Sequence, residues 1–118
     1  MTGTEALNKS LTMLGYSNSN GNLVTRLKER SLVLINLVYS DLWRICKESD
    51  FKPLEKLSDK IDLPERALND VFLYGLCMFL AQSESDADNQ ALWSRLYNQK
   101  RTGLSKRQKI VNTIPTVY

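Results

Sequence analysis

The run from Val71 to Ser83 carries no charged residue, and this constrains the chain more than any other feature. Phe72, Gly75, Leu76, Phe79 and Leu80 recur at helical spacing, and Val71, Tyr74 and Met78 widen the apolar surface. A helix apolar over so much of its circumference must be covered on more than one side. The next residues, Gln82 to Asp88, are rich in helix-capping side chains and carboxylates, so one helix ends there and another begins at once. Two antiparallel helices within Leu63 to Gly103 are the simplest outcome. A chain of 118 residues has room for one domain built on that hairpin and too little for two.

The remaining elements follow in order. Thr4 is placed to cap a short helix from about Glu5 to Leu14, with Leu7, Leu11 and Leu14 on one side and Gly15 as its stop. Ser17 to Asn22 is a cluster of turn formers and reads as a surface loop. A second helix, about Leu23 to Glu48, carries Leu23, Leu27, Leu34, Val38, Leu42 and Ile45 as a stripe, widened by Leu32, Ile35, Tyr39 and Trp43. Asp41 and Arg44 are expected at solvent or paired with each other near its end, and Trp43 reads as a core or interface anchor. Periodicity fails from Phe51 to Leu63, which predicts a long ordered loop with one short strand near Leu57 to Ile61. Pro64 fits the first position of the third helix, with Glu65 beside its positive end. The fourth helix should start at Asp86 or Asp88 and end near Thr102, stopped by Gly103. The expected fold is all-α: a small bundle of about four helices with a long 51–63 loop and an extended C-terminal arm. Residues 1–103 form the helical domain, and residues 104–118 the arm.

Composition narrows the chemistry. With 42% hydrophobic and 25% charged residues the bulk of the chain can fold. No apolar run approaches the ~20 residues that span a bilayer, and the first residues lack the pattern of a leader, so a cytosolic location is the expectation. There is no histidine, which removes the commonest general base and the usual companion of cysteine at zinc. Cys46 and Cys77 stand apart on apolar helix faces and read as buried thiols. Glu84, Asp86 and Asp88 lack the central glycine and the twelfth-position glutamate of a calcium loop, and no GxxxxGKS/T, GxGxxG or GxSxG motif occurs. No catalytic residue, metal site or cofactor is nominated.

Charge is unevenly placed. The net charge of +3 conceals a tail in which Lys100, Arg101, Lys106, Arg107 and Lys109 stand without an acid, leaving −2 for residues 1–99. That asymmetry points to an arm meeting an acidic surface. Its later residues, Ile110 to Tyr118, are β-branched and apolar, which suits a segment that orders in a groove or on a sheet edge.

The block Leu63-Pro64-Glu65-Arg66-Ala67-Leu68-Asn69-Asp70-Val71, followed by Tyr74-Gly75-Leu76, by Met78 to Glu84 and by Leu96 to Arg101, resembles the head-tail connector, or adaptor, proteins of tailed bacteriophages. With Leu34 to Trp43 and the Asp62-Leu63-Pro64 turn, the resemblance takes in most of residues 23–103. It implies a virion protein, made in the host cytoplasm, that assembles with copies of itself into a ring, typically a dodecamer. The ring would sit between the portal protein and a downstream tail or stopper protein, at the head-tail interface, with genomic DNA passing through its channel and no membrane involved. The resemblance makes the arm a portal-docking segment. Its contact residues would be Lys100, Arg101, Lys106, Arg107, Lys109, Ile110, Val111, Ile114, Pro115 and Tyr118. The 51–63 loop becomes a candidate contact with a neighbouring subunit or the next tail protein. The competing reading is a small helical nucleic-acid-binding or regulatory protein that uses the same basic tail; against it, the junction between the third and fourth helices is acidic and would repel phosphate.

Overall fold

The structure, a computed structural model, describes the backbone of residues 1–16, 22–47 and 49–117 and the side chains of those residues except 22–26 and 105–117. Four helices make the fold: α1 (Gly3–Leu14), α2 (Asn22–Cys46), α3 (Phe72–Ser83) and α4 (Ala87–Val117). The surface loop expected at Ser17 to Asn22 lies almost wholly outside the described residues. The expected all-α bundle is present, and no strand occurs among the described residues.

The uncharged segment does become the centre. Phe72, Leu76, Cys77 and Leu80 of α3 are completely buried, and α3 packs against α1, α2 and α4. Coverage on three sides is what its circumference of apolar residues requires. Leu7 and Leu11 from α1 and Ile35, Val38 and Leu42 from α2 complete the core, joined by Tyr97 and Leu104 from α4. Gly75 lies where three helices converge. A Cβ there would stand 2.6 Å from a Tyr97 ring carbon and 2.9 Å from Val38 Cγ1.

Several boundaries differ from the sequence reading for identifiable reasons. Thr2, not Thr4, caps α1: its hydroxyl accepts from the Glu5 N–H, and the Glu5 carboxylate accepts in return from the Thr2 N–H. The reciprocal pair requires the T-x-x-E spacing, which Thr4 lacks. Thr4 instead donates its hydroxyl and its N–H to the Leu57 carbonyl. Gly15 ends α1 as expected, with a left-handed φ of 75°.

The 51–63 loop is ordered but contains no strand. Its pairing is a single antiparallel bridge between Thr2 and Lys60, because the partner segment turns into α1 at Gly3. Other bonds hold it in place. Asn36 grips Leu54 from both sides, its amide donating to the Leu54 carbonyl at 3.0 Å and its oxygen accepting from the Leu54 N–H at 2.8 Å. Tyr39 accepts from the Asp62 N–H at 3.0 Å. Tyr39, Trp43 and Phe51 stack edge to face beneath, with ring centroids 5.0–6.1 Å apart. Leu54, Leu57, Ile61 and Leu63 point into the core, so this loop is a folded part of the domain.

Two departures bear on function. The entry to α3 is wound as a π-helix over Ala67–Val71, closed by the Phe72 N–H donating to the Ala67 carbonyl five residues back. Pro64 precedes the first helical turn instead of opening it, and its carbonyl accepts from Ala67 and Leu68. At the other end, α4 does not stop at Gly103; its backbone continues helically to Val117. The expected extended arm is thus a helical continuation. Gly103 fails as a stop because the residues that follow propagate the helix and nothing there imposes a left-handed turn. A Cβ at Gly103 would meet nothing within 4 Å. Gly103→Ala is therefore expected to stabilise the protein by about 0.5–1 kcal/mol, read as a rise of a few degrees in Tm.

Candidate functional site

The chemistry-bearing residues concentrate where α4 leaves the bundle. Asp86 begins that helix. Its carboxylate accepts from the Asn89 backbone and side chain, and from the Tyr16 hydroxyl at 2.8 Å. These bonds hold the Asp86 carboxyl below its usual range, while burial and the facing carboxylate raise the Tyr16 phenol. The stacked Tyr74 and Trp93 rings then clip α4 to α3, with centroids 5.5 Å apart.

About four turns beyond Asp86, α2 and α4 are joined by charge. Arg101 engages Asp41 as a two-pronged fork, Nε to Oδ2 at 2.6 Å and Nη2 to Oδ1 at 2.8 Å. The Tyr97 hydroxyl donates to Oδ2 of the same carboxylate, and Arg44 reaches Oδ1 at 3.5 Å. Burial alone would raise the Asp41 carboxyl, but the bonds from Arg101 and Tyr97 and the charges of Arg101 and Arg44 outweigh it and lower it. The Tyr97 phenol is raised by burial and by Asp41, and the Arg101 guanidinium is held more firmly protonated by its bond to Asp41. Planar bidentate geometry and three donors on one carboxylate make this a strong, directional latch.

Beside the latch lies an open cleft of about 420 Å³. The π-helical entry supplies Arg66, Asn69, Asp70 and Val71 to one wall. Gln99, Lys100, Gly103 and Leu104 of α4 supply the other. Lys100 reaches across to Asp70 at 3.5 Å. Single π turns inside α-helices recur at functional sites because the wide turn redirects side chains.

Of the residues expected to contact a partner, Lys100 borders this cleft, whereas Arg101 is turned inward and occupied by Asp41. Lys106, Arg107, Lys109, Ile110, Val111, Ile114 and Pro115 lie on the continuing helix, with side chains outside the described residues, and Tyr118 lies outside them altogether. The sequence reading overlooked Arg66, Asn69 and Asp70, which had entered only as part of the family-like block. A signal existed in Asp41, an acid inside an otherwise apolar helix stripe, which calls for a partner from elsewhere in the chain.

The thiols are not activated. Cys77 is buried as expected, and burial pushes its thiol up to about 12; Cys46 is only half-buried, contrary to expectation, though partial burial still raises it despite the nearby Arg66 and Lys47 charges. Among the described residues no group of three or more histidine, cysteine, aspartate or glutamate side chains could hold a metal ion, and no helix is long and apolar enough to cross a membrane. No family model, curated protein or solved structure matches the chain.

Proposed function

We propose that this chain is a structural assembly subunit of the head-tail connector type, packing laterally against copies of itself in a ring and docking beneath a portal protein through the end of α4. The observation that carries the reading is the build of α4. Its 31 residues span about 46 Å; the part up to Leu104 is fixed in the bundle by Tyr97 and the Arg101 fork, and the part beyond holds Lys106, Arg107 and Lys109 with no acid. A latch at the point of departure sets the direction in which a basic helix is presented. Helical backbone favours insertion of a helix into a groove over addition of a strand to a sheet edge. The basic residues would steer the helix to an acidic partner, and the apolar residues after them would provide burial once docked.

Lateral packing draws support from α2. Val33 and Leu37, one turn apart, are 61% and 50% exposed, and Leu92 of α4 is 40% exposed. A closed ring needs a heterologous interface, with different faces of each subunit meeting. The 51–63 loop, through its exposed Lys52, Glu55, Lys56 and Lys60, remains a proposed contact with a neighbour or the next tail protein.

The test is to remove residues 105–118. The expected product keeps the helical circular dichroism and cooperative melting of the full chain but no longer forms a stoichiometric ring with the portal, as read by native mass measurement. Undiminished association of the truncated chain would refute the proposal. Titration of the full chain with duplex DNA across salt concentrations separates the rival reading, because a nucleic-acid binder gives a steep salt slope.

A further inference from the structure

We propose that the cleft between the π-helical entry to α3 and the middle of α4 receives a side-chain carboxylate from an acidic segment of a partner protein. This names the chemistry of the partner in the assembly reading above and adds a docking site outside the tail. Three features of the cleft argue for such an occupant.

The first is an unbalanced charge. Arg66 and Lys100 face the cleft against a single carboxylate, Asp70. Among the described residues Arg66 forms no ion pair, and Lys100 has only Asp70 at 3.5 Å, in a pair whose side chains are 54% and 38% exposed. Exposed pairs of this kind are weak. The site therefore lacks one negative charge, and Lys100 is only weakly engaged by the one present, since the Asp70 carboxylate also accepts from the Val71 N–H and keeps that bond when Lys100 leaves.

The second is the donor set. Asn69 and Gln99 stand at the rim with no side-chain hydrogen bond among the described residues, so two carboxamides and a guanidinium are open to an acceptor. Guanidinium and amide N–H groups fit the planar oxygens of a carboxylate. Val71 and Leu104 are buried at the base, and Gly103 adds no side chain, which gives the stem of a glutamate or aspartate an apolar path inward.

The third is continuity. The helix that forms one wall runs on into a stretch whose sequence holds Lys106, Arg107 and Lys109 and no acid, so an acidic segment that continues past the cleft stays on a basic part of the chain. A lone small anion would use none of that. Asp70 then acts as an internal occupant of Lys100, displaced when the partner's carboxylate arrives.

Displacement makes opposite predictions for two neighbouring residues. The full chain, isotopically labelled, is titrated with hexaglutamate, with the matching hexaglutamine and with a short DNA duplex, and amide shifts are followed by NMR. Hexaglutamate is expected to move the signals of Arg66, Asn69, Asp70, Lys100 and Gly103, and hexaglutamine to leave them in place. Arg66→Gln should weaken that response about fivefold to tenfold, the loss of one charge-assisted bond. Asp70→Asn should strengthen it severalfold. A purely structural Asp70 gives no such gain. Shifts confined to residues 105–117, an equal response to hexaglutamine, a duplex response centred on the cleft, or an Arg66→Gln variant that binds as before would each overturn the proposal. Ring formation with the portal is read separately. A ring that forms while the cleft stays silent removes the cleft and leaves the assembly reading, whereas cleft shifts without a ring do the reverse.

Discussion

Gly75→Ala is expected to be among the most damaging single substitutions in this protein, costing about 2–3 kcal/mol and lowering Tm by roughly ten degrees or more. In an exposed helix the same change would be favourable by ~1 kcal/mol, because alanine is the better helix former. The sign reverses because the new methyl would stand 2.6 and 2.9 Å from Tyr97 ring carbons and 2.9 Å from Val38. Neither neighbour can retreat easily. Val38 is fully buried and stiff about its first torsion, and the Tyr97 ring is anchored through its hydroxyl to Asp41. Relief must come from separating α3 from α4, which loosens the latch as well. Chemical denaturation of wild type, Gly75→Ala and Gly75→Ala with Val38→Ala measures the effect, and the second substitution should recover part of the loss. A Gly75→Ala protein as stable as wild type would show that the helices have room to spare.

Asp41→Asn should be the second large loss, about 1–3 kcal/mol, with its effect concentrated on α4. The amide keeps the shape but removes the charge that satisfies Arg101 and replaces one of the two acceptor oxygens with a donor, so Arg101 and Tyr97 must compete for the single oxygen left. Arg101→Met should cost less. Without Arg101 the carboxylate retains Tyr97 and Arg44, whereas without the charge the Arg101 guanidinium has no counter-ion and shares one oxygen with Tyr97. A double-mutant cycle should therefore be strongly non-additive. Hydrogen exchange of Asp41→Asn is expected to lose protection around residues 97–104 before the rest of the core. Acid gives an independent reading. Because the folded-state carboxyl lies below its ordinary value of 3.8, its contribution is complete above that pH and is lost as pH falls through the lower folded value. The wild-type and Asp41→Asn stability curves should therefore converge in strong acid and be parallel near neutrality.

What the sequence made legible was set by short-range pattern. The 3.6-residue stripes of α1 and α3, that of α2 from Leu27 onward, and the Gly15 stop are properties of a few consecutive residues, and they appear where that pattern places them. The latch is different. Asp41 and Arg101 are 60 residues apart, and only packing brings them together, so Asp41 looked like one half of a local pair with Arg44. The same holds for Asn36 and Leu54, whose two bonds convert an aperiodic stretch into a fixed loop. The π-helical turn has no periodic signature because one extra residue in a single turn leaves the flanking apolar spacing almost intact. Gly103 misled for the converse reason. Glycine permits a left-handed stop but does not compel one, and the sequence alone does not say which choice the downstream chain will make. Cleft residues such as Arg66 and Asn69 are polar surface residues until a second helix is laid beside them.

The central position of α3 also bears on the order in which the fold can assemble. Synthesis delivers α1 and α2 first, yet the surfaces both must bury lie on a segment that begins only at Phe72. Until that segment arrives, Leu7, Leu11, Ile35 and Leu42 lack the layer that covers them, and the 51–63 loop has only its bonds to α1 and α2 to hold it. Once α3 is in place, α4 adds a neighbour close in sequence at little entropic cost. The nascent chain thus carries an amphipathic pair of helices, apolar faces uncovered, for more than half its length. That makes the interval before residue 83 emerges the period of greatest exposure to aggregation and to chaperone capture.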